Sequence, residues 1–152
     1  MENNLERLIK QNIPFTSQGM KAQIGVLFLA YRYTSSRQSF FKNYNITLQQ
    51  YNILRILRGQ FPRPANISML RERMLDKMSD TSRIIEKLRL KELVERTTSS
   101  SDRRSCEVLV TSKGLKVLEK IDAASETLDG LFSSMHETEM KSLNNLLDNL
   151  RG

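Results

Sequence analysis

The chain has 152 residues, 39% of them hydrophobic, enough for a packed core and too many for a disordered segment. One cysteine excludes an internal disulfide framework and fits a reducing cytoplasm, and with one histidine it leaves no ligand set for a structural zinc. The formal net charge is +7 and uneven: residues 1–64 carry nine basic and two acidic side chains, residues 65–104 ten and seven, and residues 105–152 five and eight, a distribution that can orient a protein on a polyanion.

The N-terminus, MENNLERLIK, lacks a basic start followed by an apolar run, so no secretory signal is expected. The apolar-leaning AQIGVLFLAY is ten residues long and too short to cross a bilayer. A helical period over residues 20–43 puts Met20, Ile24, Leu27, Phe28 and Tyr31 on one face, with Phe40 and Phe41 at the end. A second helix starts at TLQQYNILRIL, where Thr47 and Gln50 form a capping-box pattern. Leu48, Tyr51, Leu54 and Leu57 are its expected buried face. It should stop near Gly59, before the turn set by Pro62 and Pro64.

In ANISMLRERML, Ser68 is the expected N-cap of a short helix reaching Met74 or Leu75. The turn DKM leads to SDTSRIIEKLRL, with Ser79 as the expected N-cap and Asp80 near the positive helix end. Ile84, Ile85 and Leu88 should face inward, leaving Thr81, Ser82, Arg83, Glu86 and Lys87 on a polar face. Two short helices joined by a tight turn make a helix-turn-helix. LVERTT and SCEVLVT then read as strands around the hairpin loop SSSDRR. In the second strand Cys106, Val108 and Val110 share one face, and Glu107, Leu109 and Thr111 the other. The result is a winged helix with Arg103 and Arg104 at the tip of the wing.

The last third is helical again. Leu115, Leu118, Ile121, Leu128, Leu131, Phe132 and Met135 recur at spacings of three and four, with a bend expected at Gly130. A final helix carries Met140, Leu143, Leu147 and Leu150 in a heptad-like seam. The terminal helices hold more apolar face than one small domain covers, which implies a homodimer packed across a two-fold axis. The expected fold is mainly α with a small β-wing, in a single domain over residues 1–152. Residues 45–112, approximately, are its winged helix-turn-helix, and residues 1–44 and 113–152 its N- and C-terminal dimerisation helices.

Three segments carry a resemblance. DRRSCEVLVTSKG is similar to a wing of the form D-x-R, a strand, then L-T-x-x-G, with Thr111 and Gly114 at the matching spacing. ITLQQYNILRIL is similar to L-T-x-x-Q-Y/F-x-x-L, and SDTSRIIEKLRLKELVER to a recognition helix running into the first wing strand. Together, over Gly19 to Leu150, they resemble the MarR family of bacterial transcription regulators. Two residues depart from the pattern. Glu92 stands where the family has glycine, and must either adopt a costly left-handed backbone or end the helix differently. Asp80 puts a carboxylate at the start of the recognition helix, where it can aid the helix start or accept from cytosine N4.

The resemblance implies a homodimer that lays two recognition helices in successive major grooves of double-stranded DNA, at a palindromic operator, with its wings toward flanking minor grooves. Carried over by position, Ser79, Thr81, Ser82 and Arg83 would face the major groove, with Arg83 able to grip guanine O6 and N7. In the wing, Asp102 would hold the loop, Arg103 touch phosphate and Arg104 enter the minor groove. Arg73 and Lys77 would add phosphate contacts. The bland reading of each arginine is solvated surface charge.

Family members bind small, frequently aromatic effectors in a cleft between the dimer helices and the winged helix. Nine of the ten aromatics here lie at or before Phe61, and Phe28, Tyr31 and Tyr51, with Met20, are the candidates to line such a cleft. The plainer alternative is core and dimer packing. Cys106 reads as a packed thiol before an oxidation switch, and His136 as part of a helix start. With no nucleophile beside a base, no phosphate loop and no metal set, neither catalysis, cofactor nor metal is expected. The function expected is a cytoplasmic repressor released by an effector. The alternative is a winged-helix protein-interaction module without DNA binding.

Overall fold

A computed structural model of the chain describes residues 5–98, 106–124, 130 and 132–151. The chain divides into two compact units, residues 1–48 and 49–152. No helix among the described residues is long and apolar enough to cross a membrane.

In the first unit, α1 (Leu5–Leu8) and α2 (Gln18–Lys42) are joined by an ion pair between Glu6 and Lys21 at 3.0 Å. Ser17 caps α2, its Oγ accepting the Met20 amide at 3.1 Å. Phe41 closes the helix fully buried, with the Phe40 ring edge-on at 5.3 Å. The expected apolar face is only partly covered: Ile24 and Phe28 are half-buried, whereas Met20, Leu27 and Tyr31 are 45%, 65% and 75% exposed.

The second unit follows α3 (Leu48–Gln60) with β1 (Ala65–Asn66), α4 (Ile67–Arg73), α5 (Thr81–Leu90), β2 (Val94–Thr98), β3 (Cys106–Val110), α6 (Ser112–Ala123) and α7 (Glu137–Arg151). Ile53, Leu54 and Leu57 of α3 are buried, as are Leu70, Ile85, Leu88, Val94, Val108, Val110, Leu118 and Ile121. Leu48 and Tyr51, expected on the buried face of α3, are only half-buried, and Gln50 is buried instead. The sheet is antiparallel in the order β1-β3-β2, with Val94 opposite Val110 and Thr98 opposite Cys106. Strand alternation holds in β3: Val108 and Val110 are buried, and Leu109 is half-buried.

Strand β1 is absent from the sequence-based expectation. It pairs Ala65 with Val108 and Asn66 with Glu107, so β3 lies in the middle of the sheet. Asn66 also caps α4, its Oδ1 accepting the Met69 amide at 2.8 Å, which corrects the assignment of the cap to Ser68. Likewise Asp80, not Ser79, caps α5: its Oδ1 accepts the Arg83 amide at 3.0 Å. The helix-start role for this carboxylate is therefore the observed one. The helical run expected through Met135, with its bend at Gly130, stops earlier. Helix α6 ends at Ala123, and Gly130 and residues 132–134 are turn, while Leu128 and Leu131 lie outside the described residues. His136 starts α7 as expected, its amide donating to the Glu139 carboxylate at 2.8 Å. Leu146 and Leu150 of α7 are 62% and 78% exposed.

Helix α5 ends in a Schellman motif. The Leu93 amide returns to the Leu88 carbonyl at 3.0 Å, and the Glu92 amide to that of Arg89 at 2.8 Å. This motif needs a left-handed residue, and Glu92 occupies it at φ 60°. Of the two options open to this glutamate, the chain takes the strained backbone. Its carboxylate pairs with Lys113 at 2.6 Å, and that bond holds its pKa below the ordinary glutamate value. Both side chains are mostly solvent-exposed, so the pair offsets little of the backbone cost. Glu92→Gly is expected to raise the thermal unfolding midpoint by a few degrees. A lower midpoint would mean that the Lys113 pair outweighs the strain.

Candidate nucleic-acid interface

Helices α4 and α5, with residues 74–80 between them, form the helix-turn-helix, and α3 holds both of its joints. At the turn, the Leu75 amide donates to Asn52 Oδ1 at 3.1 Å. At the far end, Lys91 Nζ donates to Oε1 of buried Gln50 at 3.1 Å. Burial, and then the nearby Lys87 ammonium, push the Lys91 pKa below the ordinary lysine value. The turn is pinned from within. The Asp76 carboxylate accepts the Ser79 hydroxyl at 2.6 Å and the Met78 amide at 3.0 Å, and these bonds lower its pKa in that order of importance. Asn52, Asp76 and the Gln50–Lys91 bond were not singled out from sequence. Gln50 had a signal in its place in the quoted motif, whereas the other contacts join positions too distant for periodicity to connect.

On α5, Ser82 and Arg83 are exposed at the first turn. Among the described residues the Arg83 guanidinium has no acidic partner, and neither does the exposed ammonium of Lys87. Arg89 differs, gripping Glu86 with Nε at 3.0 Å and Nη2 at 2.8 Å. Glu86 also faces Arg96 of β2 at 3.7 Å. The bonds from Arg89 hold the Glu86 carboxyl below its usual range. Arg89 and Arg96 thus share the single charge of Glu86, while Arg83 and Lys87 have no acidic partner among the described residues. Thr81 corrects the expected polar face: it is 1% exposed. Thr81, Ile85 and Leu88 stand at i, i+4 and i+7, so the helical period itself turns Thr81 inward. Ser79 is half-buried and donates to Asp76. Arg73 is exposed, and Lys77 is exposed with its ammonium donating to the Glu72 carbonyl.

The loop containing Asp102, Arg103 and Arg104 lies outside the described residues. Its roots are described. Arg96 Nε donates to the half-buried Cys106 Sγ at 3.0 Å across the hairpin. At the other end of the wing, Thr111 joins three elements: its hydroxyl donates to the Glu92 carbonyl at 2.8 Å and accepts the Gly114 amide at 3.0 Å, while its own amide donates to the Leu93 carbonyl at 3.1 Å. The family-like T-x-x-G spacing is therefore an N-cap that also ties α6 to the end of α5.

Of the effector candidates, Met20, Phe28 and Tyr31 lie on α2 and Tyr51 on α3. Tyr51 is half-buried, its hydroxyl accepting from Arg55 at 3.3 Å. A concavity of about 670 Å³ opens beside β2, and Arg89, Glu92, Arg96 and Lys113 give it charges of both signs. None of the four effector candidates lines it.

The MarR family model matches residues 46–106, which span α3, the helix-turn-helix and the start of β3. The HTH-type transcriptional regulator MgrA of Staphylococcus aureus is 25% identical over 139 residues, covering 91% of this chain and 87% of the relative. Among solved structures, a MarR variant from E. coli complexed with operator DNA superposes with a TM-score of 0.78 at 16% identity, over 91% of this chain and 99% of the other. Bordetella bronchiseptica BpsR, whose DNA binding is regulated by 6-hydroxynicotinic acid, superposes with a TM-score of 0.72 at 20% identity, over 86% and 99%. The three-stranded sheet, the pinned helix-turn-helix and these matches agree: residues 46–106 match the MarR family of transcription regulators, and the chain has the winged-helix fold of the solved structures.

Proposed function

We propose that the chain acts as a homodimeric, sequence-specific DNA-binding repressor in the cytoplasm, released by a small aromatic effector. The observation that carries the DNA reading is the exposed first turn of α5. It offers Ser82, and Arg83 without an acidic partner among the described residues, from a helix whose two ends are both anchored. In this reading Ser79, Ser82 and Arg83 approach base edges, and Arg73 and Lys77 approach phosphate. Asp102 and Arg103 shape the wing, and Arg104 enters the minor groove. The apolar side chains left exposed on α2 and α7 favour assembly of two copies. A two-fold dimer then reads half-sites centred about 10 bp apart. An effector would act only through different affinities for two spacings of the recognition helices. Met20, Phe28, Tyr31 and Tyr51 are its candidate contacts.

The test is fluorescence anisotropy of the purified protein on its own upstream DNA, or on a site selected from a random pool, with excess random competitor and over a salt series. Saturable binding that survives competitor is expected, with Arg104→Ala about tenfold weaker. Failure to discriminate any site from competitor would favour the protein-interaction module instead.

A further inference from the structure

The segment between α4 and α5 breaks a compositional rule. Turns at a surface are ordinarily polar, yet Leu75 is 85% and Met78 93% exposed, more than any other large apolar side chain among the described residues. The next residue inward, Met74, is 2% exposed, so the chain separates one buried anchor from two outward side chains. Neither outward residue sits on loose backbone. The Leu75 amide is held by Asn52 and the Met78 amide by Asp76. Arg73 precedes the pair in the chain and Lys77 lies between its members, and Arg83, without an acidic partner among the described residues, follows one helical turn after the cap.

We propose that Leu75 and Met78 form an apolar contact surface for thymine 5-methyl groups at the edge of the operator's major groove. Residues 71–83 carry four basic and three acidic side chains, but Asp76 is turned to Ser79 and Asp80 to the Arg83 amide, which leaves Arg73 and Arg83 to favour a polyanion over an apolar protein partner, and the pair directly precedes the recognition helix in the chain. The thymine methyl is the one apolar group that base edges present in the major groove. A methionine thioether, unbranched and polarizable, adapts to its position. A contact of this kind selects thymine without a hydrogen bond, and so complements what Arg83 can read. The inference rests on the DNA-binding reading above.

The test uses the full chain and two operators differing only by deoxyuridine in place of thymidine, which removes the methyls and keeps every hydrogen-bonding group. The parent protein should lose roughly fourfold in affinity for each methyl contacted. Met78→Ser should bind the thymine operator more weakly and lose less than the parent on the deoxyuridine one, the remainder belonging to Leu75, whereas Met78→Leu keeps the full methyl dependence. Both variants should unfold at the parental temperature, since the side chain is in solvent. Equal binding of the parent to both operators overturns the contact while leaving DNA recognition intact. So does a Met78→Ser variant that retains the full deoxyuridine penalty, or one that changes the oligomer mass instead. Loss of all site discrimination by the parent overturns the contact together with the reading on which it rests.

Discussion

Gly114→Ala is expected to destabilise the protein by about 3 kcal/mol and to lower its unfolding midpoint by roughly 6–12 °C. Gly114 is buried in the first turn of α6, and a β-carbon there would overlap the Leu93 carbonyl oxygen and lie 2.8 Å from Val110 Cγ2. The obstructing carbonyl cannot easily withdraw. It accepts the Thr111 amide, and the Leu93 amide is itself committed to Leu88. Helix propensity alone would favour alanine over glycine by about 1 kcal/mol, so the sign of the change separates the two effects. Thermal unfolding decides: a midpoint at or above the parental value would mean that α6 and the start of β2 are not clamped together as described.

Arg83→Ala should weaken specific DNA binding by roughly 10- to 100-fold, with little change in affinity for random competitor beyond the loss of one charge. Its exposed guanidinium has no acidic partner among the described residues, so the unfolding midpoint should stay put. Lys87→Ala is the matched control. It removes one charge that has no acidic partner among the described residues from the same helix, and should reduce specific and random binding alike. Anisotropy on the operator and on scrambled DNA gives both ratios. If the two variants have the same specificity ratio, Arg83 contributes charge and not base reading.

The helices and strands were legible where periodicity is strong. Leu54 with Leu57, Ile85 with Leu88, and Val108 with Val110 all pack as period 3.6 or 2 requires. What escaped has local reasons. Strand β1 has two residues, too few to show alternation, and forms only because Ala65 and Asn66 find β3. Ser68 and Asn66 are both competent caps, as are Ser79 and Asp80, and tertiary pairing makes the choice. Ser79 is drawn to Asp76, leaving Asp80 to receive the Arg83 amide. Thr81 was misplaced because its chemistry is polar, though its position matches Ile85 and Leu88. The left-handed Glu92 could be anticipated as one of two outcomes, and only the Leu93–Leu88 bond shows which occurred. Pairing of Arg89 with Glu86 left no decisive mark, since charges three apart are common on solvated helices.

That last pairing bears on how the protein would respond to its ionic surroundings. A cation already neutralised within the protein displaces few condensed counterions when it meets a nucleic acid. With Glu86 clasping Arg89 and facing Arg96, the recognition helix releases less of the DNA's ion atmosphere than its count of basic residues suggests. More of the discrimination then rests on shape and base edges, which rising osmolarity leaves largely intact. A regulator built this way would hold its site through swings in potassium concentration that strip a more uniformly charged binder from DNA.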